Sequence, residues 1–214
     1  MTDIYIIGAG DFGRETADTI AEINDVSETW YIAGFIDDDS SMIGTVINGI
    51  EVVGNLDYLL KLSRDTDVKP ICVITIANPR IKKAIANKLE NFVTFANIIH
   101  PRALITKSAK IGVGNIIQHF TSVNSNACVG NHCILNTGVC IGHDVNVGDY
   151  ASVMPLSGAM GDCVLEEGVY IGVGAVVIPG KRLGAYSTIG AGAVVVKDVD
   201  TAVTVVGNPA RPLK

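Results

Sequence analysis

The stretch Ile111–Val153, IGVGNIIQHFTSVNSNACVGNHCILNTGVCIGHDVNVGDYASV, places an aliphatic side chain at every sixth position: Ile111, Ile117, Val123, Val129, Leu135, Ile141, Val147 and Val153. Outward from it the series runs back to Ile105 and on through Ala159, Leu165, Ile171, Val177, Leu183, Ile189 and Val195, so that 15 of 16 in-frame sites are Ile, Leu or Val. A small residue often sits two positions earlier, as at Ala109, Ala127, Cys133, Ala151 and Cys163, and glycine follows the aliphatic at 112, 130, 142, 148, 172, 184 and 190. Six is the period neither of a helix nor of a simple alternating strand. It is the period of a triangular coil: each hexad is a short strand and a turn, three hexads close one circuit, and the aliphatics stack inside a prism. Glycine and small residues then suit the tight corners. The pattern predicts an all-β left-handed parallel β-helix of hexapeptide repeats, about five coils long, over residues 99–214. Burying each aliphatic is worth roughly 1.5–3 kcal/mol before chain entropy is subtracted, which is ample for a domain. An ordinary β-sandwich has no reason to hold so many sites in one frame.

Residues 1–98 read as a different unit. An apolar run Ile4–Ile7 precedes the glycine turn GAGDFG at 8–13 and a helix from Arg14 to about Ile23. A strand near Tyr31–Phe35, the acidic cluster Asp37-Asp38-Asp39, a strand over Pro70–Ile76 and a helix opened by Pro79 and running through Leu89 follow. This is a small Rossmann-like α/β unit with a parallel sheet. Gly8, Gly10 and Gly13 satisfy GxGxxG between a strand and a helix, where amides at the helix N-terminus can receive a nucleotide phosphate. The unit is about half of a complete dinucleotide fold and no oxidoreductase catalytic domain accompanies it, so a nucleotide-sugar fits better than a nicotinamide dinucleotide. A purely structural glycine turn is the plain alternative. Gly8, Gly10, Asp11, Phe12 and Gly13, with Asp37 or Asp38 directed at a ribose or base, are the candidate nucleotide contacts, although an acidic cluster is also ordinary solvated surface.

Composition narrows the function further. A net charge of -6 excludes nonspecific nucleic-acid binding, which needs a basic face. No apolar run reaches the roughly 18–20 residues that span a bilayer and no signal-peptide pattern opens the chain, so a cytoplasmic protein without a membrane partner is expected. Five cysteines without a CxxC pair suggest free thiols rather than disulfides or zinc. His119 and His132 read as surface or interface packing, His100 before Pro101 as a junction, and the spacing of 119, 132 and 143 supplies no three-histidine site, so no metal is expected. Basic residues gather toward the C-terminal end, where Lys181, Arg182, Lys197, Arg211 and Lys214 follow a segment dominated by acids. An anionic ligand is favoured there, Lys197 and Arg211 being the candidate phosphate contacts.

With the GAGDFGRE turn, the FIDDD strand end, the hexad series, the IGHDVNVGDY segment and the closing VVGNPARPLK in hand, the chain resembles the bacterial sugar acyltransferases grouped with sialic acid O-acetyltransferase and the nucleotide-4-amino-sugar N-acetyltransferases. The resemblance covers essentially the whole chain. It implies a homotrimer, acetyl-CoA as co-substrate in the groove between neighbouring β-helices, and a nucleotide-sugar held by the N-terminal unit. It further implies His143 as general base with Asp144 as its orienter, the Gly161 amide facing the thioester carbonyl, Asn136 near the acceptor sugar, and backbone amides near Val173 and Ala191 along the pantetheine arm. One branch carries a second histidine near the acetyl group where this chain has Ser152, a Gly-His-Gly loop where it has Asp11-Phe12-Gly13, and a glycine where it has Ala77. From the residues alone His143 is equally a turn histidine outside a coil. As a base it suits the task, because a neutral imidazole takes a proton at neutral pH and such help is worth about 100- to 10,000-fold. The expected activity is acetyl transfer to the amino group of a nucleotide-linked amino-sugar for surface glycans. Sugar or sialic acid O-acetylation comes second, and a noncatalytic trimeric binding protein is the reading from another class.

Overall fold

The computed structural model describes residues 1–66 and 68–213; Lys214, counted above among the C-terminal cations, lies outside them. The N-terminal unit contains β1 (Thr2–Ile7), α1 (Asp11–Val26), β2 (Trp30–Ile36), β3 (Val46–Ile47), β4 (Ile50–Gly54), α2 (Leu56–Asp65), β5 (Ile71–Ile74), α3 (Pro79–Leu89) and β6 (Thr94–Phe95). Its sheet has the order β3-β4-β2-β1-β5-β6, parallel except for the β3–β4 hairpin. The α1 helix starts three residues before the expected Arg14, because Gly10 already stands at the N-cap and its carbonyl accepts from the Arg14 amide at 3.2 Å. The span expected for α3 is the span observed, with Pro79 in its first turn and the Asn78 side chain capping the amides of Arg80 and Ile81. The sequence reading missed α2, whose N-cap Asn55 accepts from Asp57 and Tyr58.

From Ile98 on, two-residue strands wind into a left-handed parallel β-helix. Up to Val195 the strands pair in parallel at a spacing of 18 residues, as Ile116 with Ile134, Ser122 with Cys140 and Cys128 with Asn146, and in the last coil the step shortens, Thr188 pairing with Thr204. Three faces result. The first runs from Ile98–Ile99 through Ile134–Leu135 and Ser152–Val153 to Thr204–Val206, closed by the antiparallel pair Arg211–Pro212; the second includes Cys140–Ile141 and Gly158–Ala159; the third includes Asn146–Val147 and Val164–Leu165. The sixfold aliphatics fill the prism, fully or nearly fully buried from Ile117 to Val195, while Ile105 and Ile111 at its open entrance are half-buried.

The corners need a correction. Left-handed backbone there is taken by Asn126, His132, Asp144, Tyr150, Asp162 and Tyr186 at φ between 55° and 62° as well as by glycine. The glycines that follow the aliphatics have another reason, the closeness of successive coils: a Cβ at Gly142 would stand 2.6 Å from the Gly161 amide nitrogen. All five cysteines are free thiols.

The three faces differ outside. On the first, the outward side chains of Ile98, Ile116 and Ile134 are buried against Ile4, Ile6, Ile20, Phe35 and Val73 of the N-terminal unit, so one apolar core joins the two. The second presents Leu104, Cys140, Val176 and Val194 without such cover, and the third presents Lys110, Asn146 and Arg182.

Candidate active site

His143 and Asp144 form the corner between the second and third faces, opposite the face that carries the N-terminal unit. The His143 side chain is 62% exposed, and its Nδ1 lies 2.9 Å from Asp144 Oδ2. Asp144 also accepts from the Asn126 amide, one coil earlier, at 3.0 Å. These two hydrogen bonds, that from His143 first, hold its carboxyl below the usual carboxylate range. A carboxylate accepting at Nδ1 puts the ring proton there and leaves Nε2 as the basic nitrogen.

Gly161 lies one coil later under the imidazole. A Cβ added to it would stand 2.3 Å from His143 Nε2, so only glycine lets the ring lie there. Among the described residues the Gly161 amide donates to no partner, while its neighbour Asp162 donates from its amide to the His143 carbonyl at 3.0 Å. An unpaired N–H beside a basic nitrogen is the donor that a developing oxyanion requires. The carboxylate of Asp162 completes the corner, within 4.8 Å of both the imidazole and the Asp144 carboxylate. Sequence reading missed Asp162 and Asn126, although both stand 18 residues, one coil, from Asp144.

The remaining candidates fall elsewhere. Asn136, Val173 and Ala191 share the corner between the first and second faces; the last two are exposed and their amides donate to no partner among the described residues. Ser152 is not at either corner. It is fully buried on the first face, its hydroxyl donating to the Ala77 carbonyl at 2.7 Å and accepting from Lys82 Nζ at 2.9 Å, which withdraws it from the acetyl contact expected of it. Lys197 and Arg211 line a hollow of about 370 Å³ at the C-terminal end of the prism, but Asp198 and Asp200 line it too. Arg182 is paired with Glu166 at 2.8 Å. His132 is packed, with Tyr150 stacked on its ring and Phe95 edge-on, and His100 donates to Glu22 of α1.

In the N-terminal unit, Gly8 takes φ +107° and a Cβ at Gly13 would stand 2.0 Å from the Gly8 carbonyl oxygen, so both serve the turn itself. Above Gly10 no atom lies within 4 Å, leaving the approach to the α1 amides open. Beside it a cleft of about 160 Å³ is lined by Gly8, Asp37, Asp38, Leu56, Ile76, Ile81 and Ile85. Asp37 accepts from the amides of Ala9 and Asp39, and Asp38 from that of Leu56, so their first duty is to brace the cleft. Phe12 packs into the core shared with the β-helix, and Asp11 is exposed and paired with Arg14. Among the described residues no helix is long and apolar enough to cross a membrane.

Known proteins resemble this chain along its whole length. Residues 3–89 match the family model described as the PglD N-terminal domain. GDP-perosamine N-acetyltransferase of Escherichia coli O157:H7 is 34% identical over 220 residues, covering 98% of this chain and 95% of that protein. A histidine-to-asparagine mutant of perosamine N-acetyltransferase from Caulobacter crescentus, solved with CoA and GDP-perosamine, superposes with a TM-score of 0.90 at 27% identity, over 100% of this chain and 98% of that one. The acetyltransferase domain of PglB from Neisseria gonorrhoeae, solved with acetyl coenzyme A, gives 0.87 at 28% identity, over 99% and 98%.

Proposed function

This chain belongs to the bacterial nucleotide-amino-sugar acetyltransferases, and from that premise we propose that it moves the acetyl group of acetyl-CoA directly onto the amine of a nucleotide-linked amino-sugar, with His143 as general base. The observation that carries this reading is the corner itself: an imidazole whose Nδ1 is tied to Asp144, whose Nε2 is free, and which lies over the unpaired Gly161 amide. As the amine attacks the thioester carbon, Nε2 takes its proton, Asp144 steadies the resulting imidazolium, and the Gly161 N–H receives the charge gathering on the carbonyl oxygen; collapse of the tetrahedral intermediate then breaks the C–S bond, and the departing CoA thiolate takes the proton back from Nε2. No covalent acyl-enzyme is needed. The solved relatives, one held with CoA and GDP-perosamine and one with acetyl coenzyme A, support both the donor and the class of acceptor.

Residues 1–98 carry the nucleotide in this reading and 99–214 perform the transfer in the cytoplasm. The active unit is a homotrimer. The nucleotide cleft sits on one face of the prism and His143 on the opposite corner, so the sugar bound by one copy reaches the base of a neighbour. The uncovered second face supplies the contact, with Leu104 and, at its corner, Phe120 and Leu156 at 64, 65 and 70% exposure. Acetyl-CoA then lies between copies, its arm along the free amides of Val173 and Ala191 and its phosphates toward Lys197 and Arg211. A monomer in sedimentation velocity at micromolar concentration would overturn the assembly.

The activity is tested by incubating the enzyme with acetyl-CoA and a panel of UDP- and GDP-linked amino-sugars, with the 4-hydroxy sugars and sialic acid as O-acetyl acceptors. Amide-bond formation is expected, and His143→Ala should lower kcat/KM by about 100- to 10,000-fold. Full turnover in that variant sinks the base assignment, and ester formation alone sinks the N-acetyl reading.

A further inference from the structure

Lys82 of α3 is fully buried, yet none of the ion pairs among the described residues includes it. Its Nζ donates to Ser152 Oγ at 2.9 Å and to the Ala151 carbonyl at 3.2 Å, and the Ser152 hydroxyl passes a hydrogen bond on to the Ala77 carbonyl at 2.7 Å. Ser152 on the β-helix is therefore gripped from both ends of a single turn, the entrance of α3. That entrance is a wall of the nucleotide cleft: Ile76, Ile81 and Ile85 line it, and Thr75 ties the same segment to the Ile7 and Gly8 carbonyls at 2.8 and 3.1 Å.

Two other hydrogen bonds that cross the junction, Thr19 to Gln118 at 2.7 Å and His100 to Glu22 at 2.8 Å, both hold α1. Beside α3 the remaining contacts are an aliphatic core and a rim with the half-exposed pair Lys83–Glu167 and Arg80 over the Tyr186 ring, so the Lys82–Ser152 bridge is the buried polar tie of the cleft wall. Apolar contact tolerates small slides, whereas a buried hydrogen-bond chain has one register. A methionine would fill the Lys82 site without the desolvation that pushes this amine down to about 7. Keeping a lysine there makes sense if register is what the junction needs.

We propose that Lys82 and Ser152 are positioning residues for acyl transfer: their bridge to Ala77 fixes the nucleotide cleft on the β-helix and thereby where the tethered amine arrives at the His143 of a neighbouring copy. The inference rests on the N-acetylation reading above. Misplacing a reacting group by about 1 Å can cost on the order of 100-fold in rate even when every binding contact survives. Lys82 and Ser152 themselves hydrogen-bond to neither the glycine turn nor the corners assigned to acetyl-CoA, so loss of the bridge should leave both ligands bound and the chemistry slowed.

The test compares full-length Lys82→Met and Ser152→Ala with the wild type, measuring GDP and UDP affinity by calorimetry, KM for acetyl-CoA, kcat on the preferred nucleotide-amino-sugar, and Tm. Expected are nucleotide affinity and acetyl-CoA KM within about twofold of wild type, Tm kept or raised in Lys82→Met, and kcat lower by about 10- to 100-fold in both variants. Unchanged kcat in both overturns the proposal, as does a loss of kcat that merely tracks lost nucleotide affinity or lost Tm, which would mark the bridge as structural. Should the wild type itself acetylate no nucleotide-amino-sugar, it is the functional reading that has failed, and the two failures are told apart by that control.

Discussion

At the scale of single residues, the corner of His143 and Asp144 depends on a void as much as on a side chain. Gly161 keeps a space that the imidazole needs, and the substitution Gly161→Ala places a methyl 2.3 Å from Nε2. Because the His143 side chain is largely in solvent, it can swing away at little structural cost. We expect Gly161→Ala to keep its Tm within a degree or two while kcat/KM falls on the order of 100-fold; a fall in Tm that accounts for the lost rate would refute this account. The contact between His143 and Asp144 follows from their adjacency on a turn, whereas the roles of base and orienter were read only from the resemblance to a family. Ser152 was misread for the opposite reason: its alignment with a branch histidine says nothing about Lys82, 70 residues earlier, which rises from another unit to claim its hydroxyl. A lysine in a helix reads as solvated, and no spacing rule distinguishes the one that is buried.

Among the elements, the rungs are interchangeable in sequence but not in energy. Ile171 is fully buried in the middle of the stack, whereas Ile105 is only half-buried at its entrance. Ile171→Ala is expected to cost about 2–5 kcal/mol in denaturant unfolding and Ile105→Ala clearly less. Equal costs would mean that the stack does not unfold as one unit. The rungs were readable because their period is locked to the chain itself. The short strands β3 and β4 and the helix α2 were not, since their residues carry no comparable repeat and owe their places to the sheet they join.

For the whole molecule, the junction also sets a pH response. Burial lowers Lys82 from 10.5 to about 7, with a smaller opposing effect of Cys133, and lowers His132 from 6.5 to about 4, with Lys82 adding to the shift and Asp149 opposing it. In both cases the unfolded chain binds more protons than the folded one between the two values, so stability rises with pH, from 4 to 6.5 through His132 and above 7 through Lys82. The Cys133 thiol, raised by burial from 9 to about 11, acts in the reverse sense above pH 9. Tm should therefore climb between pH 7 and 9, and Lys82→Met should flatten that climb while weakening only slightly the one between 4 and 6.5, whose larger cause, the burial of His132, remains; a variant that climbs as the wild type does would show that the amine stays protonated throughout in the folded chain.

The 18-residue circuit makes the β-helix a counter with three positions. Deleting one hexad between His143 and Gly161 would leave every aliphatic pointing inward, yet it would turn everything downstream by a third of a revolution and carry the Gly161 amide to a different edge. Inserting three there would return it to the same edge, one coil further along. Insertions and deletions in such a chain are thus filtered twice, modulo six for folding and modulo eighteen for chemistry. Lengths that pass the first filter and fail the second would yield well-folded, inert prisms.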